Sequence, residues 1–229
     1  MSTDDRVSTE SRDNTDFATE RREFQHGELR REQLDADPVR QFTAWLTQAR
    51  EAHTSDATAM TLATVDSSGQ PFQRMVLLKG LDERGFVFFT NLESRKAAQI
   101  ADNAKVCLHF AWLAMDRQVI IRGQARRLTR IEDARYFLTR PRESQLAAWA
   151  SQQSHPVTAR RLLMEKFLEI KQRFSEGEVP LPHFWGGYRV EPEVIEFWQG
   201  RENRLHDRFE YRRGEGAGEG CWSIERLSP

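Results

Sequence analysis

Between residues 59 and 128 the sequence repeats one device: a short run dense in β-branched, aromatic and aliphatic residues, then a few residues that cannot continue it. The runs 59–66, 72–81 and 86–91 are separated by Ser67-Ser68-Gly69-Gln70-Pro71 and by Asp82-Glu83-Arg84-Gly85. Gly, Pro, Asp and Ser supply the backbone conformations and local hydrogen bonds of tight turns, so this spacing predicts antiparallel strands joined by short connections. A helical stretch at 94–103 interrupts them, and 106–113 and 118–128 form a further strand pair joined at Met115-Asp116-Arg117.

The flanks supply helices. Asp37-Pro38 opens the first, with Asp as the cap and Pro in the first turn, where its missing N–H costs nothing. Phe42, Trp45, Leu46 and Ala49 follow at i, i+3, i+4 and i+7, one apolar face. Downstream, helices are predicted at 131–138, 143–150 and 158–174, the last with Leu162, Leu163, Phe167, Ile170 and Phe174 on one stripe. Pro180-Leu181-Pro182 ends that region, and strands are predicted at 185–190, 194–198 and 222–226. A strand meander, inserted helices and closing strands predict a mainly β fold with packed helices (α+β), a small antiparallel barrel with the helices outside. Residues 1–19 carry Ser, Thr, Asp, Asn and Arg with almost nothing to bury, and read as a disordered tail. Residues 20–229 read as a single domain. Within it, 20–37 is dominated by charge around Phe24, Leu29 and Leu34, a segment that orders only against something else.

Charge then limits the partners. A formal net charge of -1 over 229 residues gives no global field for nucleic acid or an anionic membrane. The arginines nonetheless gather locally, as in Arg21-Arg22, Arg30-Arg31, Arg95-Lys96, Arg140 with Arg142, and Arg204 with Arg208. Local cations in a neutral chain suit small anionic ligands. Cys107 lies in an apolar run and reads as a buried free thiol, and Cys221 is far from it, so no disulfide framework or zinc spacing is present. With no signal-like stretch and no run of membrane-spanning length, the expected place is the cytoplasm.

Several stretches could carry chemistry. Ser94-Arg95-Lys96 sits where a helix begins, and cations at that positive dipole end either hold a phosphate or decorate a solvated first turn. Arg74 and Lys79 bracket a strand and by period two face opposite sides, so they serve different groups or one serves nothing. Tyr136, Arg140 and Ser144 are four apart and converge if the turn survives Pro141, a phosphate-suited set; without other support, a surface arginine beside a capping serine is the better reading. Arg204, His206 and Arg208 share a face if their segment is extended. Trp185 and Trp198 could sandwich an aromatic ring or simply fill core. No Gly-rich phosphate loop, nucleophile elbow or Cys–His pairing occurs, so any chemistry must come from a bound cofactor.

Ile195-Glu196-Phe197-Trp198-Gln199, followed after four residues by Arg204-Leu205-His206-Asp207-Arg208, resembles the C-terminal signature of the pyridoxine/pyridoxamine 5'-phosphate oxidases. The likeness extends from about residue 20 to 229, through 74–79, Ser94-Arg95-Lys96, Arg140-Pro141-Arg142, Gln152-Gln153-Ser154 and Phe184-Trp185-Gly186-Gly187. The resemblance implies an FMN-binding split antiparallel β-barrel, a homodimer with FMN at the subunit interface. It implies oxidation of pyridoxamine 5'-phosphate and pyridoxine 5'-phosphate to pyridoxal 5'-phosphate, with O2 as acceptor and hydrogen peroxide as by-product. By the same resemblance Arg74, Met75, Val76, Leu77, Leu78, Lys79, Phe89, Thr90, Arg95, Lys96, Gln118, Gln153, Ser154, Trp198 and Arg208 match cofactor positions, with Arg95 and Lys96 on the flavin phosphate. Lys79, Tyr136, Arg140 and Ser144 match the substrate-phosphate pocket, and Arg204 and His206 match the catalytic positions flanking the substrate ring. Arg21 and Phe24 fall where the family has an N-terminal lid, and Phe24 stands where a tyrosine is usual.

Overall fold

The computed structural model describes residues 23–24, 27–52, 56–151, 153–154, 158–214 and 221–229. Helix α1 (Pro38–Glu51) leads into β1 (Ala59–Val65), β2 (Pro71–Leu77), β3 (Gly80–Asp82) and β4 (Gly85–Asn91). Helix α2 (Arg95–Asp102) precedes β5 (Lys105–Trp112) and β6 (Arg117–Arg127), and α3 (Arg130–Thr139), α4 (Arg142–Ala150) and α5 (Arg160–Arg173) follow. Strands β7 (Trp185–Gln199), β8 (Asp207–Arg213) and β9 (Trp222–Leu227) close the chain.

All nine strands form one antiparallel sheet in the order β2-β1-β5-β6-β7-β4-β3, with β8 added to β7 and β9 to β8. The predicted α+β barrel-like architecture is present as this curled sheet with helices packed on it. Strand β7 is its hinge. One edge pairs with β6 along the strand, while the other pairs with β4 over its first half and with β8 over its second.

The separate strands at 185–190 and 194–198 are one strand, bent where the β6 register shifts between Arg122 and Gly123 opposite Pro192. Proline cannot donate to a ladder, and a bulge lets the strand continue past it. Gly123 makes the bend possible, because a Cβ there would stand 2.0 Å from the carbonyl oxygen of Glu191. The single strand at 72–81 is in fact two. At Leu78 the amide still bonds Thr58 beside β1, whereas at Lys79 it bonds Val87 of β4, so the chain changes partners between them. Strand β8 was not anticipated, although Phe209 and Tyr211 alternate inward and are 1% and 0% exposed.

Helix α1 forms as expected. The Asp37 carboxylate accepts from the Val39 amide at 2.8 Å, and Phe42, Trp45, Leu46 and Ala49 are buried. Phe42 meets Phe86 and Phe110 edge-on at 4.9 and 4.8 Å between ring centres, inside the barrel core. Side chains of this size each contribute about 1.5–3 kcal/mol on burial. A second cluster, with Phe137, Leu146, Ile170 and Trp185, binds α3, α4 and α5 to the start of β7. The apolar stripe predicted along α5 holds only at its C-terminal end, since Ile170 is buried while Leu162 and Leu163 are 43% and 41% exposed. The charged segment before α1 orders against β8: Leu29 donates to Asp207 at 3.1 Å, and the Tyr211 hydroxyl donates to the Asp35 carbonyl at 2.8 Å. Cys107 is half-buried rather than buried, a free thiol that burial pushes up in pKa. Residues 1–22, including Arg21 and the predicted tail, lie outside the described residues. Among the described residues no helix is long and apolar enough to cross a membrane.

Candidate active site

A cavity of about 890 Å³ opens between β2, β4, the start of α2 and the junction of α3 with α4. That is within the roughly 300–1,000 Å³ usual for small-molecule sites. Its walls carry two separate groups of cations.

The first group is built at the start of α2. Ser94 caps the helix by position, yet its hydroxyl accepts from Lys96 Nζ at 3.1 Å instead of capping. Lys96 also donates to Thr90 Oγ1 at 3.1 Å and to Gln153 Oε1 at 2.7 Å. Burial, helped by the charge of Arg74, lowers its pKa to about 8. Arg74 reaches from β2 to the Leu62 carbonyl, Thr64 Oγ1 and Gln99 Oε1, and burial and the nearby Arg95 lower its pKa. Arg95 lies 5.5 Å from the centre of the Phe72 ring. Among the described residues none of these three cations has a carboxylate within ion-pair distance. Three positive charges without a carboxylate partner, two of them in the first turn of a helix, could hold an anion.

The second group lies where α3 gives way to α4. Arg140 is extended and Pro141 stands at the N-cap of α4, so the helix does break, yet Tyr136, Arg140 and Ser144 all line the cavity. Buried Gln145 closes the break by donating to the carbonyls of Phe137 at 3.1 Å and Arg140 at 3.0 Å. The sequence reading did not single out this glutamine. Arg140 lies over the Trp185 ring at 4.9 Å, and its Nη1 is the only buried side-chain nitrogen or oxygen among the described residues without a hydrogen-bond partner. A buried donor left unpaired is costly, which marks a place for an acceptor from outside the chain. Between the two groups Tyr136 stacks on Phe89 at 4.0 Å and Phe89 on Trp185 at 5.1 Å, giving the cavity a flat aromatic wall. Of the two tryptophans considered for ring binding, Trp185 is here and Trp198 is not.

Lys79 and Arg74 line this same cavity. Strand parity put them on opposite faces, but the change of partners at Leu78 removes the premise. Met75, Val76, Leu77, Thr90 and Ser154 also line it, whereas Leu78 is 7% exposed in the barrel core. Phe72, Gln73, Thr139 and Pro141, outside the expected site, complete the lining.

Gln118, Trp198, Arg204, His206 and Arg208 lie elsewhere. Gln118, Trp198 and Arg208 stand abreast across β6, β7 and β8. They share a sheet face with Met75 and Leu77, which are 64% and 38% exposed. Arg208 grips Glu196 through two bonds of 3.1 and 3.0 Å, which raises its pKa. The alternation expected for 204–208 is absent. Glu202–Arg204 is a 3-10 turn in which Asn203 and Arg204 have φ of 55° and 61°, and β8 begins only at Asp207. His206 Nδ1 accepts the Arg201 amide hydrogen at 3.1 Å. A peptide N–H can only donate, so the neutral ring carries its proton on Nε2. The ring packs 4.6 Å from Trp198 and 5.1 Å from Phe24.

Comparison with known proteins now decides the family. Residues 46–174 match the family model described as pyridoxamine 5'-phosphate oxidase, and residues 185–229 match the pyridoxine 5'-phosphate oxidase C-terminal dimerisation region. The chain belongs to the pyridoxamine 5'-phosphate oxidase family. The pyridoxine/pyridoxamine 5'-phosphate oxidase of Shewanella oneidensis is 58% identical over 94% of this chain and 100% of its own length. That of Vibrio cholerae is 56% identical over 93% and 100%. Among solved structures, PhzG from Burkholderia lata in complex with tetrahydrophenazine-1-carboxylic acid aligns with a TM-score of 0.80 and 27% identity, covering 86% of this chain and 95% of that one. A pyridoxamine 5'-phosphate oxidase-related FMN binding protein from Nostoc punctiforme shares the fold at 16% identity, with a TM-score of 0.68 over 86% of this chain and 100% of that one.

Proposed function

We propose that this chain is an FMN-dependent oxidase that converts pyridoxamine 5'-phosphate and pyridoxine 5'-phosphate to pyridoxal 5'-phosphate, with O2 as the acceptor and hydrogen peroxide as the second product. The observation that carries this is a single cavity with two distinct cationic ends, one of which presents the unpaired Nη1 of Arg140. Two phosphates need two such ends: one for the cofactor and one for the substrate.

The residues fit FMN. Arg95, Lys96 and Arg74 would hold its phosphate, with Thr90, Gln153 and Ser154 around Lys96 and the chain at 75–78 along the ring system. The flavin, when bound, supplies a two-electron acceptor for hydrogen from the substrate's 4' carbon and a route for those electrons to O2. Arg140 with Lys79, Tyr136 and Ser144 binds the substrate phosphate through charge-assisted bonds. The aromatic wall keeps water from the reacting face and orients flat rings.

The site is completed by a second copy of the chain. Gln118, Trp198 and Arg208 lie on the open sheet face that continues into Met75 and Leu77, and they belong to or flank the region matching the family's dimerisation model. A homodimer on this face would place Arg204 and His206 of one subunit over the cavity of the other. Arg204, exposed and held outward by its left-handed backbone, would cover the substrate ring. His206 would donate from Nε2, and with Nδ1 engaged by Arg201 it has no lone pair with which to act as a base.

The test is oxygen uptake with both phosphorylated substrates on the FMN-loaded protein, beside its mass in solution. A yellow dimer that consumes O2 and forms pyridoxal 5'-phosphate is the expected result. A monomer that gains no flavin absorbance on adding FMN, or a flavoprotein that oxidises neither substrate, would overturn the proposal.

A further inference from the structure

Asp133 is the one fully buried carboxylate on α3, and the functions above make no use of it. It is 0% exposed and lies behind the aromatic wall. One oxygen accepts the Gly187 amide hydrogen at 2.8 Å, and the other accepts from Arg127 Nη2 at 2.9 Å, with Arg130 at 3.9 Å. Arg127 also donates to the Gly187 carbonyl, so the carboxylate and the guanidinium grip both polar atoms of one residue of β7.

That residue is a sensitive one. Gly187 stands opposite Phe89 in the ladder, and a Cβ on it would meet the Phe89 ring at 2.8 Å. At Gly186 a Cβ would come within 2.6 Å of the Asp133 carboxylate itself. The start of β7, which carries Trp185, is therefore fitted around Asp133. On α3, Asp133 precedes Tyr136 by three residues on one helical face, and Arg140 is the residue that caps the end of that helix. Tyr136 stacks on Phe89, and Arg140 lies over Trp185. The same side chain thus fixes the helix that carries the arginine and the strand that carries the ring beneath it.

We propose that Asp133 is a positioning residue for the substrate-phosphate end of the cavity: it pins α3 to β7 and so aims Arg140. The inference rests on the functional reading above. Arg95 and Lys96 come from α2, with no contact to this carboxylate. Its charge matters as well as its shape. Asp133 pairs with Arg127 behind the wall, whereas Arg140 in front has no carboxylate partner among the described residues.

The experiment compares the FMN-loaded wild type with Asp133→Asn. The amide oxygen can still take the Gly187 hydrogen, but the amide nitrogen faces Arg127 donor to donor. The expected result is a rise in KM for pyridoxamine 5'-phosphate of roughly tenfold or more, with kcat and the FMN dissociation constant within about twofold of wild type. No change in KM overturns the proposal, and so does a parallel loss of kcat, FMN affinity and KM, which would mean a merely structural role. Should the variant fail to fold, Arg127→Met keeps the carboxylate on Gly187 and removes its other partner. The same split in smaller measure is then expected, and its absence is fatal. Titration with pyridoxal 5'-phosphate separates the two readings. If the wild type turns over neither substrate, the functional reading has failed, and unchanged product affinity in Asp133→Asn would still overturn the role of Asp133.

Discussion

Replacing Arg140 by methionine tests the division of the cavity into two ends. The Arg140 guanidinium is half-buried, burial lowers its pKa, and its buried Nη1 has no partner. It has no carboxylate within ion-pair distance among the described residues, so only its place over the Trp185 and Phe137 rings offsets the desolvation of its charge. Methionine keeps apolar volume over Trp185 and removes the charge. Thermal stability of the ligand-free variant should therefore equal or exceed that of wild type, the reverse of what losing a structural arginine does. Binding of the phosphate ester should weaken, because bonds to a charged group are worth about 1.5–3 kcal/mol, or roughly ten- to a hundredfold in affinity. FMN retention should not change, since Arg95 and Lys96 are untouched. The assays are a melting curve without ligands, a flavin fluorescence titration, and KM for pyridoxamine 5'-phosphate. A variant that loses flavin while binding substrate normally would refute the assignment, as would one that melts earlier with KM unaltered.

Three further outcomes follow from the same geometry. Burial and the charge of Arg74 lower the Lys96 pKa from its ordinary 10.5 to about 8, so FMN affinity should fall as pH rises past about 8, by at most about tenfold per unit, with the slope absent in Lys96→Met. The sign for folding is opposite: between about 8 and 10.5 the unfolded chain holds the proton and the folded one does not, so this group adds stability as pH rises through that window. His206→Gln, whose amide oxygen can accept from Arg201 and whose nitrogen can donate, should keep more turnover than His206→Phe. Burial and Arg204 lower the His206 pKa below its ordinary 6.5, and protonating Nδ1 breaks the bond to Arg201; loss of activity at pH below that value should therefore be weaker in the glutamine variant, and an identical acid limb would refute it. Phe24 meets Trp198 and His206 edge-on at 5.6 and 5.1 Å, so Phe24→Tyr should change kinetics by no more than roughly tenfold, a hydroxyl bond being worth about 0.5–1.5 kcal/mol, whereas Phe24→Ala should do more. Equal kinetics for wild type and Phe24→Ala would mean that this side chain covers nothing.

What the sequence disclosed and what it withheld divide along a physical line. Helix α1 was legible because a cap and an apolar face lie within 14 residues of one another. The cation cluster at Ser94-Arg95-Lys96 was legible because cations at a helix start are locally anomalous. The errors fall where distant residues decide. Nothing near Leu78 announces that its neighbour will pair with β4 instead of β1, so an unbroken strand was the reasonable reading and the parity of Arg74 and Lys79 failed with it. Pro192 looks like a strand end until Gly123, far away in sequence, yields the space for a bulge. Arg204 to Arg208 reads as alternating, yet the bond from Arg201 to His206 curls it into a turn first. The residues matched to one site by resemblance separate in the folded chain into a cavity group and an outer-face group. A sequence gives no distance between such groups, and one folded chain shows only that they do not meet. If both serve one reaction, the open face that bears Gln118, Trp198 and Arg208 must be covered by the cavity side of another subunit. Catalysis would then depend on protein concentration, and diluting the enzyme below its dimer dissociation constant should remove activity and flavin together.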